Sequence, residues 1–153
     1  MLDLACGGGR HTRFLRGLGF RVVAADIDVS RVADLASDER IEIVEVDLES
    51  GVWPFDGRRF DGIVVTDYLH RPLLPLLADS LASGGVLIYE TFGKGNEQYG
   101  RPRNPDFLLE PGELMRVFAS PLDVIAYEQV VDPEPRPAVR QRICARRPGY
   151  RET

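Results

Sequence analysis

Leu2-Asp3-Leu4-Ala5-Cys6-Gly7-Gly8-Gly9-Arg10-His11 stands at the start of the chain, one residue after Met1. Its first part is apolar apart from Asp3, and Met1 to Ala5 reads as a short strand. A glycine run follows, and then a helix over Arg10 to Leu18 with Phe14, Leu15 and Leu18 on one face at helical spacing. Gly19 stops that helix. Glycines at such a turn let the backbone come close to a ligand, and the helix N-terminus behind them favours an anionic group. Alone the run decides nothing, because any strand-to-helix turn can use glycine and a bare G-x-G-x-x-G often matches by chance.

The segments that follow continue the alternation. Phe20 to Ala25 is a buried-strand pattern ending in Asp26, and Ser30 to Leu35 reads as a short helix. Ile41 to Val46 is a strand ending in Asp47, and Leu48 to Arg59 is turn-rich with no helix expected. Phe60 to Val65 is a strand. Leu73 to Leu81 is a helix, broken by Gly84-Gly85 before a strand over Val86 to Phe92. Gly93 to Pro111 is irregular, and Gly112 to Phe118 is a short helix. Strands near Val124 to Val131 and Val139 to Ala145 close the chain, held apart by Pro133, Pro135 and Pro137. Continuously apolar strands alternating with helices imply a parallel sheet covered on both faces. Ligands of such sheets sit beyond the carboxyl ends of the strands, at a topological switch point. The last two strands have no helix between them and should pair antiparallel at an edge.

A length of 153 residues suits a single domain, and 44% apolar with 28% charged residues is ordinary for a globular one. No apolar run approaches the ~20 residues of a spanning helix. No basic region leads into a long apolar stretch, so no signal peptide is expected. Two cysteines, Cys6 and Cys144, are too few for a disulfide or zinc framework, so a cytoplasmic location and no metal are expected. The net charge of −5 argues against broad binding to nucleic acid or to a membrane surface. Lys94 is the only lysine among 19 basic residues. Arg136, Arg140, Arg142, Arg146, Arg147 and Arg151 cluster late in the chain. They read as a solvated strand face and tail, the alternative being a phosphate or RNA site, which lacks interleaved aromatics.

Three polar stops at one sheet edge carry the argument. The first is the glycine turn. The second is Asp26, 17 positions beyond Gly9, where a carboxylate can accept from the vicinal hydroxyls of a ribose. The third is Asp47, which suits an amine donor such as the exocyclic nitrogen of adenine. Singly, Asp26 reads as a helix cap and Asp47 as a turn residue; in sequence at one edge they read as a nucleotide site. The third glycine of a pyrophosphate fingerprint would fall at Thr12, and Asp3 lies in the first strand. A carboxylate there repels a pyrophosphate but tolerates an ammonium. Both features turn the reading from NAD towards S-adenosylmethionine, its sulfonium lying across the first three strand tips, held by glycine amides at one end and two carboxylates further along.

At this point the chain resembles the class I S-adenosylmethionine-dependent methyltransferases, small-molecule type. Leu2 to Gly9 looks like their first motif, D-x-G-x-G-x-G, with Ala5 at the first glycine. Val23-Ala24-Ala25-Asp26-Ile27-Asp28 looks like the second motif, and Val46-Asp47-Leu48 like the third. Phe60 to Val65 resembles the fourth strand, and Leu81 to Leu87 the turn into strand five. The resemblance covers nearly the whole chain. It implies an α/β fold, a Rossmann-like doubly wound sheet, mostly parallel with an antiparallel C-terminal edge hairpin, in one domain over residues 1–153. It places Asp3, Ala5, Cys6, Gly7 and Gly9 at the methionine end of the cofactor, with Arg10 and His11 towards its carboxylate. It makes Asp26 the ribose acceptor, Ile27 and Leu48 the adenine walls with Asp47 beside them, and sets Thr66, Asp67 and Tyr68 facing the sulfonium.

Methyl transfer from a sulfonium is an in-line displacement in which positioning does most of the work, and a base matters only for a protonated acceptor. Tyr68, His70 and Glu90 are the catalytic candidates, with Tyr89 also at a strand end. His70 reads equally as a packed or capping residue, and Glu90 as the partner of an arginine. The turn-rich Thr91 to Pro105 segment is expected to form a lid on the substrate, with Arg101 and Arg103 suited to an anion. No Asn/Asp-Pro-Pro-Tyr motif follows strand four, which points to a small-molecule acceptor. Related enzymes usually carry helices before strand one, and this chain is expected to lack them. The alternatives are a binding module without turnover, completed by a homo-oligomer or a partner chain covering the open N-terminal side, and an NAD-dependent oxidoreductase.

Overall fold

The computed structural model describes residues 1–149; Arg151 of the late arginine cluster lies outside them. β1 (Leu2–Leu4) leads through the glycine turn into α1 (Arg10–Gly17) and β2 (Val22–Asp26). A 3-10 turn (Ser30–Leu35) precedes β3 (Ile41–Glu45). β4 (Phe60–Thr66) connects through a 3-10 turn (Arg71–Leu73) and α2 (Leu74–Asp79) to β5 (Leu81–Phe92). Two more 3-10 turns (Asn96–Gln98 and Pro105–Phe107) and α3 (Glu113–Phe118) come before β6 (Asp123–Asp132) and β7 (Ala138–Arg146).

The seven strands form one sheet in the order β3-β2-β1-β4-β5-β7-β6. The first five are parallel, with Asp3 opposite both Ala24 and Val64. β7 runs antiparallel between β5 and β6, pairing Glu90 with Arg142 and Arg142 with Glu128. The chain moves outward from β1 in one direction through β2 and β3, and in the other through β4 and β5. The switch point therefore lies between β1 and β4, at the glycine turn.

One face of the sheet carries the main core. Leu2, Leu4, Ile63, Val65, Leu87, Tyr89, Ile143 and Ala145 meet Leu74 and Leu77 of α2 and Leu114 and Phe118 of α3. On the other face α1 buries Leu15 against Val22 and Val64, while Phe14 and Leu18 point outward at 63% and 59% exposure. Only the Thr12–Leu15 side of α1 reaches the sheet, so the three-residue apolar face expected of this helix is not buried as a unit. Val64 pairs with Ile88, which is therefore on the same face as α1 and is 48% exposed. The cover expected on both faces is thus complete on one face and stops at α1 on the other.

The expected helix over Leu73 to Leu81 ends at Asp79, and Leu81 is the first residue of β5, opposite Phe60. Its apolar side chain belongs to the sheet rather than to the helical stripe that its spacing suggests. Gly84-Gly85 lies within β5, where the register jumps from Phe60–Leu81 to Gly62–Val86. Gly84 has a φ of 75°, and a Cβ on Gly85 would fall 2.8 Å from the Phe60 carbonyl oxygen. These glycines permit a bulge in a strand rather than a break after a helix.

Candidate functional site

The turn after β1 is held by its own backbone. Ala5 and Gly7 take left-handed φ values of 53° and 54°, and Gly9 takes 76°. Ala5 is where the family motif has a glycine, and its Cβ makes this conformation cost about 1–2 kcal/mol. A side chain on Gly8 would strike the Arg31 guanidinium at 2.7 Å, and one on Gly9 would strike Val32 at 2.5 Å. Both glycines let the turn settle onto the Ser30–Leu35 turn. At Gly7 nothing lies within 4 Å of an added Cβ, so its outer side is open.

Asp26, at the end of β2, faces this turn. One carboxylate oxygen accepts the Gly7 N–H at 2.8 Å and the other accepts the Asp28 N–H at 3.1 Å. The Gly9 N–H donates to the Cys6 carbonyl at 2.9 Å. The amides of Gly7 and Gly9 are therefore spent inside the protein, which corrects the expectation that they would grip a ligand. They shape the turn, and Asp26 locks it. Asp47 takes the Glu49 N–H at 2.9 Å, so its turn role and its place at the strand tip coexist.

Asp26, Ile27, Asp47, Leu48 and Ala5 line one cavity of about 430 Å³ with Val46, Glu49 and Tyr68. That size is within the range of small-molecule sites. Leu48 is buried and forms a floor, while Ile27 is 66% exposed and stands at the rim. Two carboxylates in an apolar setting fit a group that presents hydroxyl and amino donors on a flat apolar body, as an adenosine does.

The rest of the turn lies towards β4. The His11 Nδ1 is 3.5 Å from the Thr66 hydroxyl, across the switch point. Arg10 is exposed and makes no ion pair among the described residues. Asp3 is only 2% exposed and lies beneath the turn, where it accepts the Thr12 hydroxyl at 2.6 Å and fixes the start of α1; burial raises its pKa. Burial, aided by the charges of Asp3 and Asp26, pushes the Cys6 thiol up to about 12. Cys6 is thus an inert, partly buried thiol.

The candidates after β4 and β5 divide. Tyr68 lines the cavity and donates its phenol to Glu49 at 3.2 Å; burial, then the Glu49 charge, raises its pKa, so it stays protonated. Tyr89 is 1% exposed and donates to the Tyr68 carbonyl at 2.6 Å, clamping the segment that presents Tyr68. His70 has an extended backbone before the Arg71–Leu73 turn, and its side chain makes no hydrogen bond among the described residues and does not line this cavity. Glu90 is ion-paired with Arg140 at 2.9 Å and also with Arg142. Both guanidinium groups occupy this carboxylate, and the arginine-partner reading of Glu90 is the one realised.

Arg140 also reaches Asp67 at 2.7 Å and lies 4.2 Å over the Phe92 ring, while Arg142 pairs with Glu128 and Asp132. Arg147 donates to the carbonyls of Ala78, Asp79 and Leu81. These three partly exposed arginines are tied into ion pairs and carbonyl bonds rather than laid out as a solvated face, while Arg136 and Arg146 are exposed as expected. Neither Arg140 nor Asp67 was singled out for this tie; their separation of 73 positions left no local signal.

The segment after β5 does reach the mouth of the site. It is stapled rather than loose. Gly93 donates to Val139 and Leu109 to Phe92, and the buried Asn96 ties Pro102 to Val139. Arg71 grips Glu113 with two bonds of 2.7 and 2.9 Å and also donates to the carbonyls of Asp106 and Leu108. Pro102 and Phe107 of this wall face Tyr68, Asp67, Leu69, Thr91, Phe92 and Glu49 around a second cavity of about 300 Å³. Arg101 and Arg103 do not line it, which removes the basis for expecting an anion there.

The strand order separates this fold from a dinucleotide-binding sheet, which runs 3-2-1-4-5-6 with parallel strands. Here antiparallel β7 takes the sixth place. Solved structures share the arrangement. A Burkholderia thailandensis 1,6-didemethyltoxoflavin-N1-methyltransferase with bound S-adenosylhomocysteine matches with a TM-score of 0.71 at 20% identity, over 96% of this chain and 70% of that one. The N-methyltransferase NodS from Bradyrhizobium japonicum, in complex with S-adenosylhomocysteine, gives 0.71 at 17% identity, over 96% and 76% of the two chains. TehB from Haemophilus influenzae gives 0.74 at 18%, over 95% and 57%. No curated protein matches the chain in sequence. The fold is that of a Rossmann-like class I methyltransferase. The chain belongs to the methyltransferase domain family, whose model matches residues 1–85.

Proposed function

We propose that this chain holds S-adenosylmethionine across the tips of β1, β2 and β3 and methylates a small-molecule acceptor. The observation that carries the reading is the single cavity in which Asp26 and Asp47 face apolar walls directly beside the open side of Gly7. The cofactor supplies an activated methyl group on a sulfonium. Asp26 keeps lone pairs for ribose hydroxyls, Asp47 accepts an amine donor, and Leu48 and Ile27 bracket the base. His11, Thr66 and Arg10 stand where the methionine end would lie. The acceptor enters from the second cavity, past Tyr68. The small-molecule character of the acceptor draws support from that cavity's size and from the N-methyltransferases of the same fold.

A homo-oligomer or partner chain over the strip around Ile88 and Phe14 belongs to the same proposal, since both are exposed apolar groups on the α1 side. Calorimetric titration with S-adenosylhomocysteine and with NAD tests the reading, together with transfer of a labelled methyl group to a panel of small acceptors. Binding of S-adenosylhomocysteine alone, with transfer, is the expected result. Binding without any transfer makes the chain a module without turnover, and binding of NAD alone overturns the proposal.

A further inference from the structure

The second cavity has a chemistry of its own. Tyr68, Phe92 and Phe107 give it three aromatic walls, and Leu69 and Pro102 complete the apolar lining. Its charged lining residues are Glu49 and Asp67, with no cation among them. Asp67 is ion-paired at 2.7 Å with Arg140, which it shares with Glu90. Glu49 is not: its Oε1 takes the Tyr68 phenol, and its Oε2 has no hydrogen-bond partner among the described residues. Glu49 and Tyr68 line both cavities, so the second cavity's one carboxylate without an ion pair among the described residues lies on the boundary between the cofactor space and the acceptor space.

Resting on the function proposed above, we infer that the acceptor is an amine carried on an aromatic or apolar body, and that Glu49 selects it. An aromatic box with one free carboxylate favours a cationic head, through the ring faces and through the charge. A carboxylate acceptor would meet Glu49 as a like charge, while Arg140, the guanidinium behind Phe92 and Asp67, is already held by Asp67 and Glu90. Glu49 holds the ammonium form, which loses one proton to solvent at the exposed rim. The free amine lone pair then attacks the methyl carbon as the carbon–sulfur bond breaks. The bonding pair stays on sulfur, and the product leaves as a methylated ammonium, so charge and atoms balance.

The experiment uses the whole chain saturated with S-adenosylhomocysteine and three probes of one shape: phenethylamine, phenethyl alcohol and hydrocinnamate. Affinity is read by titration, and methylation of phenethylamine by label transfer. Phenethylamine should bind at least tenfold more tightly than the other two. Glu49→Gln should reduce that preference to within about threefold. Phe107→Ala should weaken all three probes about tenfold while the affinity for S-adenosylhomocysteine stays within twofold, because Phe107 does not line the cofactor cavity. The inference is overturned if hydrocinnamate binds as well as the amine, if none of the probes binds, or if Glu49→Gln keeps the preference. Failure of wild-type protein to bind S-adenosylhomocysteine would instead remove the underlying function, so the two failures are told apart.

Discussion

The Asp26 carboxylate accepts the Gly7 and Asp28 N–H groups at 2.8 and 3.1 Å, and each oxygen keeps capacity for a ligand hydroxyl. Asp26→Ala removes both duties. It should weaken S-adenosylhomocysteine by about 1.5–3 kcal/mol, the range for hydrogen bonds to a charged group, which is roughly 10- to 100-fold in a calorimetric titration. Wild-type affinity in that variant would detach the ribose from Asp26. Glu90 makes the opposite case. It sits at a strand tip where a base is attractive, yet Arg140 and Arg142 both hold it. Glu90→Gln should lower stability by about 1–3 kcal/mol in urea unfolding, since two guanidinium groups lose their shared partner. It should leave the shape of the pH–rate profile unaltered. A variant with full stability and a missing acid-side limb would restore Glu90 as a base.

Among elements, the wall from Gly93 to Pro111 depends on one side chain reaching it from the turn after β4. Arg71 ties the carbonyls of Asp106 and Leu108 to Glu113 of α3. Glu113 is 8% exposed, so Arg71→Ala leaves a nearly buried carboxylate without its cation. The expected loss at neutral pH is about 1–3 kcal/mol, kept modest because the guanidinium itself is partly in solvent. Burial acts to raise the Glu113 pKa, but the Arg71 fork and the Glu110 N–H outweigh it, and the pKa is lowered from its ordinary 4.5. A lowered folded value means that this stabilisation is present above pH 4.5 and is lost as pH falls through the folded value. Urea midpoints of wild type and Arg71→Ala should therefore converge in acid; a gap of constant size would show that the fork does not set the Glu113 titration.

This scale also separates what was legible in the sequence from what was not. Asp26 ends an apolar strand and Asp47 follows two residues after β3, stops that can be read locally, and both face the same cavity. The β6–β7 pair was legible because no helix pattern separates the two strands. Leu81 was not, since its spacing continues a helical stripe while its pairing with Phe60 is a matter of tertiary register. The roles of Glu49, Pro102, Phe107, Arg71 and Arg140 come from contacts across loops, where side-chain type carries no period. Ala5 shows a local rule giving way, a left-handed residue that retains a Cβ in the turn that shapes the site.

For the whole molecule, the sheet is thickly covered by α2 and α3 on one face, whereas on the other α1 buries little beyond Leu15. The cofactor cavity lies where lightly held parts meet: the glycine turn, the tips of β2 and β3, and the Tyr68 segment after β4. A ligand there binds the folded chain and cannot bind the unfolded one, because its donors face groups that come from four separate segments. It should therefore stabilise by mass action, about 2.7 kcal/mol at a free concentration of 100 times Kd. For a domain near this length each kcal/mol moves Tm by roughly 2–4 °C, so S-adenosylhomocysteine should raise Tm by about 5–10 °C. NAD at the same concentration should leave Tm in place. Its pyrophosphate would approach a turn whose Gly7 and Gly9 amides are already spent and which the Asp26 carboxylate locks. Asp26→Ala should lose roughly half or more of the S-adenosylhomocysteine shift at fixed ligand concentration, following the logarithm of its weaker Kd. Equal shifts by the two compounds, or a full shift in Asp26→Ala, would mean that the ligand rests elsewhere on the sheet than across these strand tips.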